Sequence, residues 1–420
     1  MAWTILLTAA FVGGVAAPTP DPAVAYDTGT PYYTGTILPT PREAAYRDAY
    51  AVLIDGPAGV REAAVHMDYT GPARTLAQRL LQTRFERYTA RLADIGHPGS
   101  GAGETPVYVA LVTDPAAQAF LDRHDLQSRA SDLPPQGYVL EVRPEGVLCA
   151  GQDNAGVVNA VASLLQLMHV RAGKLVARCA SVRDAPTFQT RYTAEYFLPD
   201  ADFFDWMMRY KINGFAACYP GMRWTGLSEA KRAGLAAIGR YIRDRETMRF
   251  MAQFHVGGRA GPVLDCGHGA DVERLLDTLR ETLELSQAHH IMICYDDVAP
   301  TLQPEEAKRF ESPVQAHGHL MEQVHQAVKA RRPDCIVSFC TPYYQGRGHR
   351  RWRAPAARKQ GLAYLRGLHD WTATDLRIVW TGPVTESRRI TTEDIRAYRE
   401  WIGPQHELFY WDNTWHYHQP

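Results

Sequence analysis

The chain has 420 residues, of which 45% are hydrophobic and 10% aromatic, and this composition excludes a disordered or fibrous protein. Its 45 basic and 46 acidic residues give a net charge of −1, which offers no electrostatic attraction for nucleic acid or for an anionic membrane. The length exceeds that of one ordinary domain, so two domains are predicted. A neutral partner such as a carbohydrate fits this charge balance.

The first 17 residues are rich in Ala, Val and Leu and end Val15-Ala16-Ala17 before Pro18. This pattern is typical of a secretory signal with a small-residue cleavage site, and it predicts a secreted or periplasmic protein. No basic residues precede the apolar run, so an unprocessed apolar N-terminus is the alternative. Residues 18–40, rich in Pro, Thr and Tyr, are interpreted as a linker.

The seven cysteines are an odd number, and most lie inside apolar runs. They are therefore interpreted as small buried hydrophobes rather than as a disulfide framework. Cys266 lies near His255, Asp265 and His268, and a metal site there is conceivable. A loop of mixed polar residues is favoured, because no two of these residues have a familiar zinc-ligand spacing. Neither a metal nor an organic cofactor is expected.

Residues 41–184 predict a small α/β domain. Residues 50–54 and 107–112 are strand-like, with a helix predicted between them over residues 75–92. Residues 138–143 alternate in polarity, Pro144-Glu145-Gly146 forms a turn, and residues 147–150 return as a second strand. Asp153 or Asn154 can cap the helix that follows. The apolar face of that helix comprises Val157, Val161, Leu164, Leu165 and Met168.

Residues 185–420 alternate short apolar strands with amphipathic helices, which is typical of a βα array. The predicted strands cover residues 191–197, 212–218, 250–256, 291–295, 335–340, 376–380 and 407–411. Two helices have clear apolar faces. The first face comprises Val272, Leu275, Leu276, Leu279 and Leu283. The second comprises Ile395, Tyr398 and Ile402 and follows Thr391-x-x-Asp394, a pattern that resembles a capping box. A TIM (β/α)₈ barrel needs eight strands. Either the eighth unit is missing from this chain or one strand prediction is wrong.

The fourth predicted strand of this array runs directly into Asp296 and Asp297. Chemistry in barrel folds lies at the C-terminal ends of the strands, so two acids there suggest acid/base catalysis. Both carboxylates can enter one pocket only if the strand ends at that point, and Pro300 favours such an ending. Their mutual repulsion would then raise at least one pKa. The alternative is that both acids cap the next helix or begin a solvated loop.

Four motifs at successive strand ends resemble glycoside hydrolase family 84, the O-GlcNAc hydrolases and their secreted, hyaluronidase-like bacterial relatives. They are Cys294-Tyr295-Asp296-Asp297-Val298, Phe339-Cys340-Thr341-Pro342-Tyr343-Tyr344, Trp380-Thr381-Gly382-Pro383-Val384 and Trp411-Asp412-Asn413. Residues 137–168 resemble the accessory domain that precedes the barrel in β-hexosaminidases, as well as in other glycosidases such as α-glucuronidases.

The resemblance implies a role for each matched residue. Asp296 would hold the acetamido N–H of the substrate, whose carbonyl oxygen attacks the anomeric carbon with retention of configuration. Asp297 would be the general acid and then the base. Tyr344 would contact the acetamido group, Trp411 would form the aromatic wall of its pocket, and Asn413 would bind the sugar. Without the motif order, such aromatic residues would more often be packing residues.

The chain departs from the family pattern at several positions. In Glu195-Tyr196-Phe197, Tyr196 stands where the family has a glycine, so the Tyr196 side chain could reach the sugar. The family's lysine after the second strand is absent, and Arg223 is the nearest substitute. The acid that binds the outer hydroxyls falls at His418, and the asparagine of the eighth strand has no counterpart. The catalytic pair therefore matches the family, whereas the sugar rim differs.

The sequence thus predicts a retaining glycoside hydrolase that acts on β-linked N-acetylglucosaminides by substrate-assisted catalysis. One alternative keeps the architecture but changes the sugar, for instance to a uronic acid. Another is a carbohydrate-binding protein descended from such an enzyme. The aglycone and the oligomeric state are left open.

Overall fold

The computed structural model describes residues 35–54, 62–63, 65–67, 73–86, 91–92, 105–172, 174–195, 197–218, 222–244, 248–257, 261–372 and 375–413. The predicted signal peptide and most of the predicted linker lie outside these ranges. Within them, no helix combines the length and the hydropathy that crossing a membrane would require.

The described residues of the N-terminal half form nine strands and four helices. The strands are β1 (Glu43–Ile54), β2 (Glu62–Ala63), β3 (Val65–His66), β4 (Arg91–Leu92), β5 (Val107–Leu111), β6 (Tyr138–Arg143), β7 (Gly146–Gly151), β8 (Met168–Arg171) and β9 (Lys174–Asp184). The helices are α1 (Ala73–Glu86), α2 (Pro115–Arg123), α3 (Gln127–Ala130) and α4 (Asn154–Leu167). Seven strands form one mixed sheet in the order β1-β9-β6-β7-β5-β3, with β8 paired to β9, while β2 and β4 pair separately.

The predicted hairpin of this half is confirmed, since β6 and β7 are antiparallel from Tyr138 opposite Gly151 to Arg143 opposite Gly146. The predicted cap is also confirmed. The Asp153 side chain accepts the backbone N–H of Gly156 at 2.8 Å at the start of α4. Helix α4 is buried along almost its whole length, so it is the central packing element of this half.

One sequence prediction for this half is wrong, and two strands were not predicted. The helix predicted over residues 75–92 ends at Glu86, and Arg91–Leu92 form a strand because they pair with Glu62–Ala63. Strands β8 and β9 were not predicted, although β9 is the longest partner of β1 and β6. In the first case, pairing with a distant segment overrides local propensity in a short polar stretch.

The C-terminal half is a parallel sheet of seven strands among the described residues, in simple order from β10 to β16. The strands are β10 (Tyr192–Glu195), β11 (Gly214–Ala217), β12 (Arg249–His255), β13 (His290–Cys294), β14 (Ile336–Cys340), β15 (Arg377–Trp380) and β16 (Glu407–Tyr410). The helices between them are α5 (Ala201–Arg209), α6 (Glu229–Asp244), α7 (Gly269–Ser286), α8 (Pro313–Arg331), α9 (Pro355–Trp371) and α10 (Thr392–Ile402).

This sheet curls into an incomplete barrel, which confirms the predicted α/β fold class. Strands β11 and β13 are fully buried, whereas the edge strands β10 and β16 are half-buried or exposed. The rings of Tyr192 on β10 and Phe409 on β16 approach to 6.0 Å, so the two edges face each other across the interior. Seven of the eight strands that a closed barrel needs are therefore present in the described chain.

Of the two helix faces that the sequence predicts for this half, the face of α7 packs in the core, whereas the face of α10 does so only in part. In α10 the predicted capping box is present, and Thr391 and Asp394 each bind the backbone N–H of the other. Tyr398 and Ile402 are buried, but Ile395 is 38% exposed. The buried face is instead centred on Trp401, whose ring stacks on Trp352 at 5.3 Å. Aromatic packing with the neighbouring loop therefore decides which side of α10 faces inward.

Polar contacts join the two halves around Lys211, just after α5. Its ammonium donates to the carbonyl of Leu38 at 3.3 Å and lies 5.8 Å from the ring centre of Tyr138. Gln166 of α4 donates to the carbonyl of Arg209 at 2.9 Å. Burial lowers the pKa of Lys211 to about 7.

Candidate active site

The two candidate acids lie in a tight turn directly after β13. The backbone N–H of Val298 donates to the carbonyl of Tyr295 at 3.2 Å, and Asp297 has a left-handed φ of 58°. An aspartate tolerates this conformation better than most residues. The turn breaks the strand alternation, as the sequence argument requires if both carboxylates are to face one side. It begins one residue earlier than predicted, because β13 ends at Cys294.

The two acids have different surroundings. Asp297 is exposed, whereas Asp296 is half-buried. Its oxygen Oδ1 is buried and has no hydrogen-bond partner. Burial, followed by the neighbouring Cys294 and Asp297, raises the pKa of Asp296 to about 6. The raised pKa expected for the pair therefore falls on Asp296, the residue to which the resemblance assigns contact with the acetamido group.

Tyr344, in the loop after β14, reaches the same carboxylate. Its hydroxyl donates to Asp296, and burial together with that charge raises the pKa of Tyr344. Its backbone carbonyl accepts the N–H of Thr381 at 3.1 Å, which ties the loop to the end of β15. The preceding Tyr343 instead packs against Trp352 and Tyr364 on the outer side of the sheet.

The loop after β15 supports this arrangement through one glycine. Gly382 has a φ of +98°, and a Cβ there would lie 2.3 Å from Oγ of Ser387. Its carbonyl accepts the N–H of Gly346 at 2.8 Å, and the carbonyl of Pro383 accepts the N–H of Gly348 at 2.9 Å. Only glycine fits this backbone without strain. The loops after β14 and β15 are therefore joined beside Tyr344.

The remaining predicted site residues have diverse locations. Trp411 is half-buried at the end of β16 and packs against the interior cluster that contains Tyr344. Asn413 is half-buried two residues further on. Arg223 has an exposed side chain, and its backbone forms a bridge with His255 at the end of β12. Tyr196 and His418 lie outside the described residues.

Three further polar residues form a row beneath the acids. His255 is aligned with Cys294, and Cys294 with Cys340, at the ends of β12, β13 and β14. All three are at most 5% exposed. Imidazole and thiol side chains thus fill the layer of the barrel interior directly below Asp296. The sequence places His255 near the conceivable metal loop and predicts Cys294 in the core, but it does not predict this row. The alternation of Gln253 and His255 with apolar residues was the available signal.

The loop around Cys266 is structural, as the sequence analysis favoured. The Cys266 thiol donates to the buried carboxylate of Glu306 at 2.8 Å. Asp265 accepts the backbone N–H groups of Gly267 and Glu305, both at 2.9 Å. These carboxylates therefore fix the loops that follow β12 and β13. Among the described residues, no group of three or more His, Cys, Asp or Glu side chains is arranged to hold a metal ion.

Two family models match the chain. Residues 34–185 match glycosyl hydrolase family 20, domain 2, and residues 246–416 match a model described as β-N-acetylglucosaminidase. The second match contains both acids, Tyr344, Trp411 and Asn413. Both halves of the chain are therefore similar to parts of glycoside hydrolases, and the C-terminal half is similar to β-N-acetylglucosaminidases. No sequence among the curated proteins matches the chain.

Several solved structures share the fold of this chain. CpGH84B matches 87% of the chain with a TM-score of 0.58 and 16% identity. A β-N-acetylhexosaminidase from Bacteroides fragilis matches 88%, with a TM-score of 0.55 and 15% identity over 72% of its length. A family 20 exo-β-N-acetylglucosaminidase from Vibrio harveyi, solved with N-acetylglucosamine, matches 87% with a TM-score of 0.53 and 14% identity over 64% of its length. The chain spans 60% of the length of CpGH84B.

Proposed function

We propose that the protein is a retaining β-N-acetylglucosaminidase of glycoside hydrolase family 84 that uses the acetamido group of its substrate as the nucleophile. The observation that carries this proposal is the state of Asp296. One of its oxygens is buried without a partner, and its carboxylate is held by the hydroxyl of Tyr344. An unpaired buried acceptor is costly unless a ligand satisfies it. The N–H of an acetamido group is a donor of suitable size and polarity.

Two carboxylates divide the chemistry according to their surroundings. Asp296 accepts the acetamido N–H, so electron density rises on the carbonyl oxygen, which attacks the anomeric carbon. The glycosidic C–O bond breaks, and the leaving oxygen takes a proton from Asp297. Water then attacks the anomeric carbon of the oxazoline, Asp297 removes a proton from that water, and the acetamido group is restored. The enzyme contributes no nucleophile, unlike the usual pair of carboxylates in retaining glycosidases.

The raised pKa of Asp296 is compatible with this division. A carboxylate of higher basicity takes a larger share of the amide proton as the carbonyl oxygen attacks. Asp296 must be ionised to accept that N–H, so activity should fall as the pH drops through about 6. Asp297, which is exposed, lies where an aglycone and a water molecule can reach it.

A comparison of two substrates tests the proposal. An aryl β-N-acetylglucosaminide should be hydrolysed, and the matching aryl β-glucoside, which lacks the acetamido group, should not. Asp296→Asn should slow the first substrate whatever its leaving group. Asp297→Asn should slow it mainly when the leaving group is poor. Asp277→Asn, on the exposed surface of α7, is the matched control and should retain the wild-type rate.

The other outcomes are equally informative. Turnover of both substrates would remove the acetamido group from the mechanism and favour an enzyme for another sugar, such as a uronic acid. Sugar binding without turnover, in a protein shown to be folded, would favour the carbohydrate-binding alternative. Export is a further proposal that rests on residues 1–17 of the sequence alone. Mass spectrometry of the protein after expression in its host would detect removal of that segment.

A further inference from the structure

Positive charge is concentrated in the loop after β14 and at the start of α9. Residues 345–369 contain seven arginine and lysine residues and no aspartate or glutamate, although the whole chain has a net charge of −1. The side chains of Arg347, Arg350 and Arg353 in this stretch are exposed. Among the described residues, no carboxylate forms an ion pair with any of these three arginines, so their charge faces solvent.

The loop after β15 adds two exposed arginines, Arg388 and Arg389. This loop is joined to the loop after β14, because the backbone N–H groups of Gly346 and Gly348 donate to its carbonyls at 2.8 and 2.9 Å. Arg347 lies between those two glycines. Both loops leave the C-terminal ends of parallel strands, so their arginines lie at the same end of the barrel as the candidate acids. These exposed residues, termed the arginine rim, are Arg347, Arg350, Arg353, Arg388 and Arg389.

Buried aromatic residues fix the position of the loop after β14. The Trp352 indole N–H donates to the carbonyl of Gln345 at 3.1 Å, and the Trp352 ring stacks on Trp401 at 5.3 Å. The Arg347 guanidinium lies 4.8 Å from the ring centre of Trp401. A guanidinium over an aromatic ring keeps the N–H donors in its plane available for an oxyanion. Arg347 is therefore held in a defined place, three residues after Tyr344.

The start of α9 adds to this positive charge instead of balancing it. A helix N-terminus carries partial positive charge, which acidic residues in the first turn usually compensate. The first turn of α9 contains no acid, and the exposed side chains of Arg358 and Lys359 lie close to it. By contrast, α10 has Glu393 and Asp394 in its first turn. The start of α9 therefore favours an external anion on this side of the barrel.

The neighbouring loop has the opposite charge. The loop after β13, residues 295–312, contains five acidic residues and two basic ones, whereas the loop after β14, residues 341–354, contains four arginines and no acid. Asp296 and Tyr344 lie where these two loops begin. An anionic chain that enters the site is repelled by the first loop and attracted by the second. The charges therefore direct such a chain over the arginine rim.

We propose that the arginine rim binds acidic groups on the glycan that carries the N-acetylglucosamine, so that the natural substrate is an anionic glycan with carboxylate or sulfate groups. This inference rests on the proposed function, because the site at Asp296 holds the sugar from which that glycan extends. The planar fork of arginine N–H donors matches the oxygens of such groups. One exposed ion pair contributes little, but several along one chain act together.

A nucleic acid is the competing polyanion, and the structure favours a glycan. Single-stranded nucleic acids are held by bases that stack on accessible aromatic side chains. The aromatic residues of the loop after β14 are Tyr343, Tyr344 and Trp352, and each is at most 7% exposed. They offer no stacking surface beside the rim, whereas a glycan needs only the charges.

Two matched double variants test the rim. Arg350→Gln with Arg353→Gln removes two rim charges and leaves the contact between Arg347 and Trp401 intact. Arg240→Gln with Arg243→Gln removes two exposed charges from the C-terminal part of α6, at the opposite end of the barrel. Equal thermal unfolding midpoints of the variants and the wild type would show that all three proteins are folded.

Three tetrasaccharides with N-acetylglucosamine at the non-reducing end serve as probes. They are neutral chitotetraose, chitotetraose sulfated at O6, and a carboxylated chain in which N-acetylglucosamine alternates with glucuronic acid. The wild type should have a higher kcat/KM for an anionic probe than for the neutral one, and this preference should decrease as salt is added. The ratio of the two values should fall about three- to tenfold in the rim variant and stay constant in the α6 variant. A preference for either the sulfated or the carboxylated probe supports the inference and identifies the acidic group.

Fluorescence polarisation of the labelled probes separates this inference from the proposed function, because it measures binding without turnover. If the wild type hydrolyses nothing but prefers an anionic probe, and the rim variant loses that preference, the rim stands and the proposed function fails. Equal affinity for all three probes, or a preference that is undiminished in the rim variant, would overturn the inference even in an active enzyme. Tighter binding of a single-stranded oligonucleotide of equal charge would also overturn it, in favour of a nucleic acid.

Discussion

Replacement of Asp296 by asparagine should make the protein more stable at neutral pH while it removes activity. The pKa of Asp296 in the folded protein is about 6, above its usual value of 3.8, chiefly because the carboxyl is buried. The folded state therefore binds this proton more tightly than the unfolded state does. The resulting stabilisation is fully present below pH 3.8 and is lost as the pH rises through about 6.

The size of this change in stability follows from the shift in the pKa of Asp296. One pH unit corresponds to about 1.4 kcal/mol, so ionised Asp296 destabilises the native state by up to about 3 kcal/mol above pH 6. Asparagine has nearly the same shape, and its amide oxygen can still accept from Tyr344. It carries no charge to be desolvated or repelled by Asp297. Asp296→Asn should thus raise the free energy of unfolding by about 1 to 3 kcal/mol at pH 8.

Denaturant unfolding of both proteins at pH 8 and at pH 4.5 measures this difference. The gain in the free energy of unfolding should be largest at pH 8 and should shrink at pH 4.5, where native Asp296 is protonated. Asp277→Asn, on the solvent-exposed surface of α7, should show no such dependence. An asparagine variant that is less stable than the wild type at pH 8, or a gain that is the same at both pH values, would refute the electrostatic account of the site.

Three further predictions concern other parts of the structure. Tyr344→Phe removes the hydroxyl that donates to Asp296, so the acid limb of the pH–rate profile should move to higher pH by about one to two pH units. An acid limb at the wild-type pH would contradict a hydrogen bond between Tyr344 and Asp296. Lys211→Met should raise the midpoint of thermal unfolding at pH 6, because the charged form of this buried lysine, with a pKa of about 7, destabilises the folded state. That gain should fade as the pH rises from 7 towards 10.5, where the unfolded lysine also loses its proton. Gly382→Ala should lower the free energy of unfolding by about 1 to 3 kcal/mol, since its φ of +98° and the nearby Ser387 exclude a Cβ. Gly269→Ala adds a Cβ that meets no atom within 4 Å, so it should be neutral or slightly stabilising in the same unfolding assay.

The sequence alone determined those features that depend on neighbours along the chain. Continuous apolar runs predicted the strands of the parallel sheet, because a buried strand is apolar on both faces. Local chemistry predicted the Asp153 cap and the capping box of Thr391 and Asp394, because the donor and acceptor are three residues apart. The position of Asp296 and Asp297 at a strand end was visible for the same reason.

Only the tertiary structure decided how residues from different strands meet. The alignment of His255 with Cys294 and Cys340 depends on the register of strands that lie about 40 residues apart, and no local pattern encodes register. The difference between the half-buried Asp296 and the exposed Asp297 depends on the turn and on Tyr344, which follows the next strand. The pKa of Asp296, and with it the division of labour between the two acids, is therefore a property of the assembled barrel, because burial and nearby charges exist only once the strands are packed.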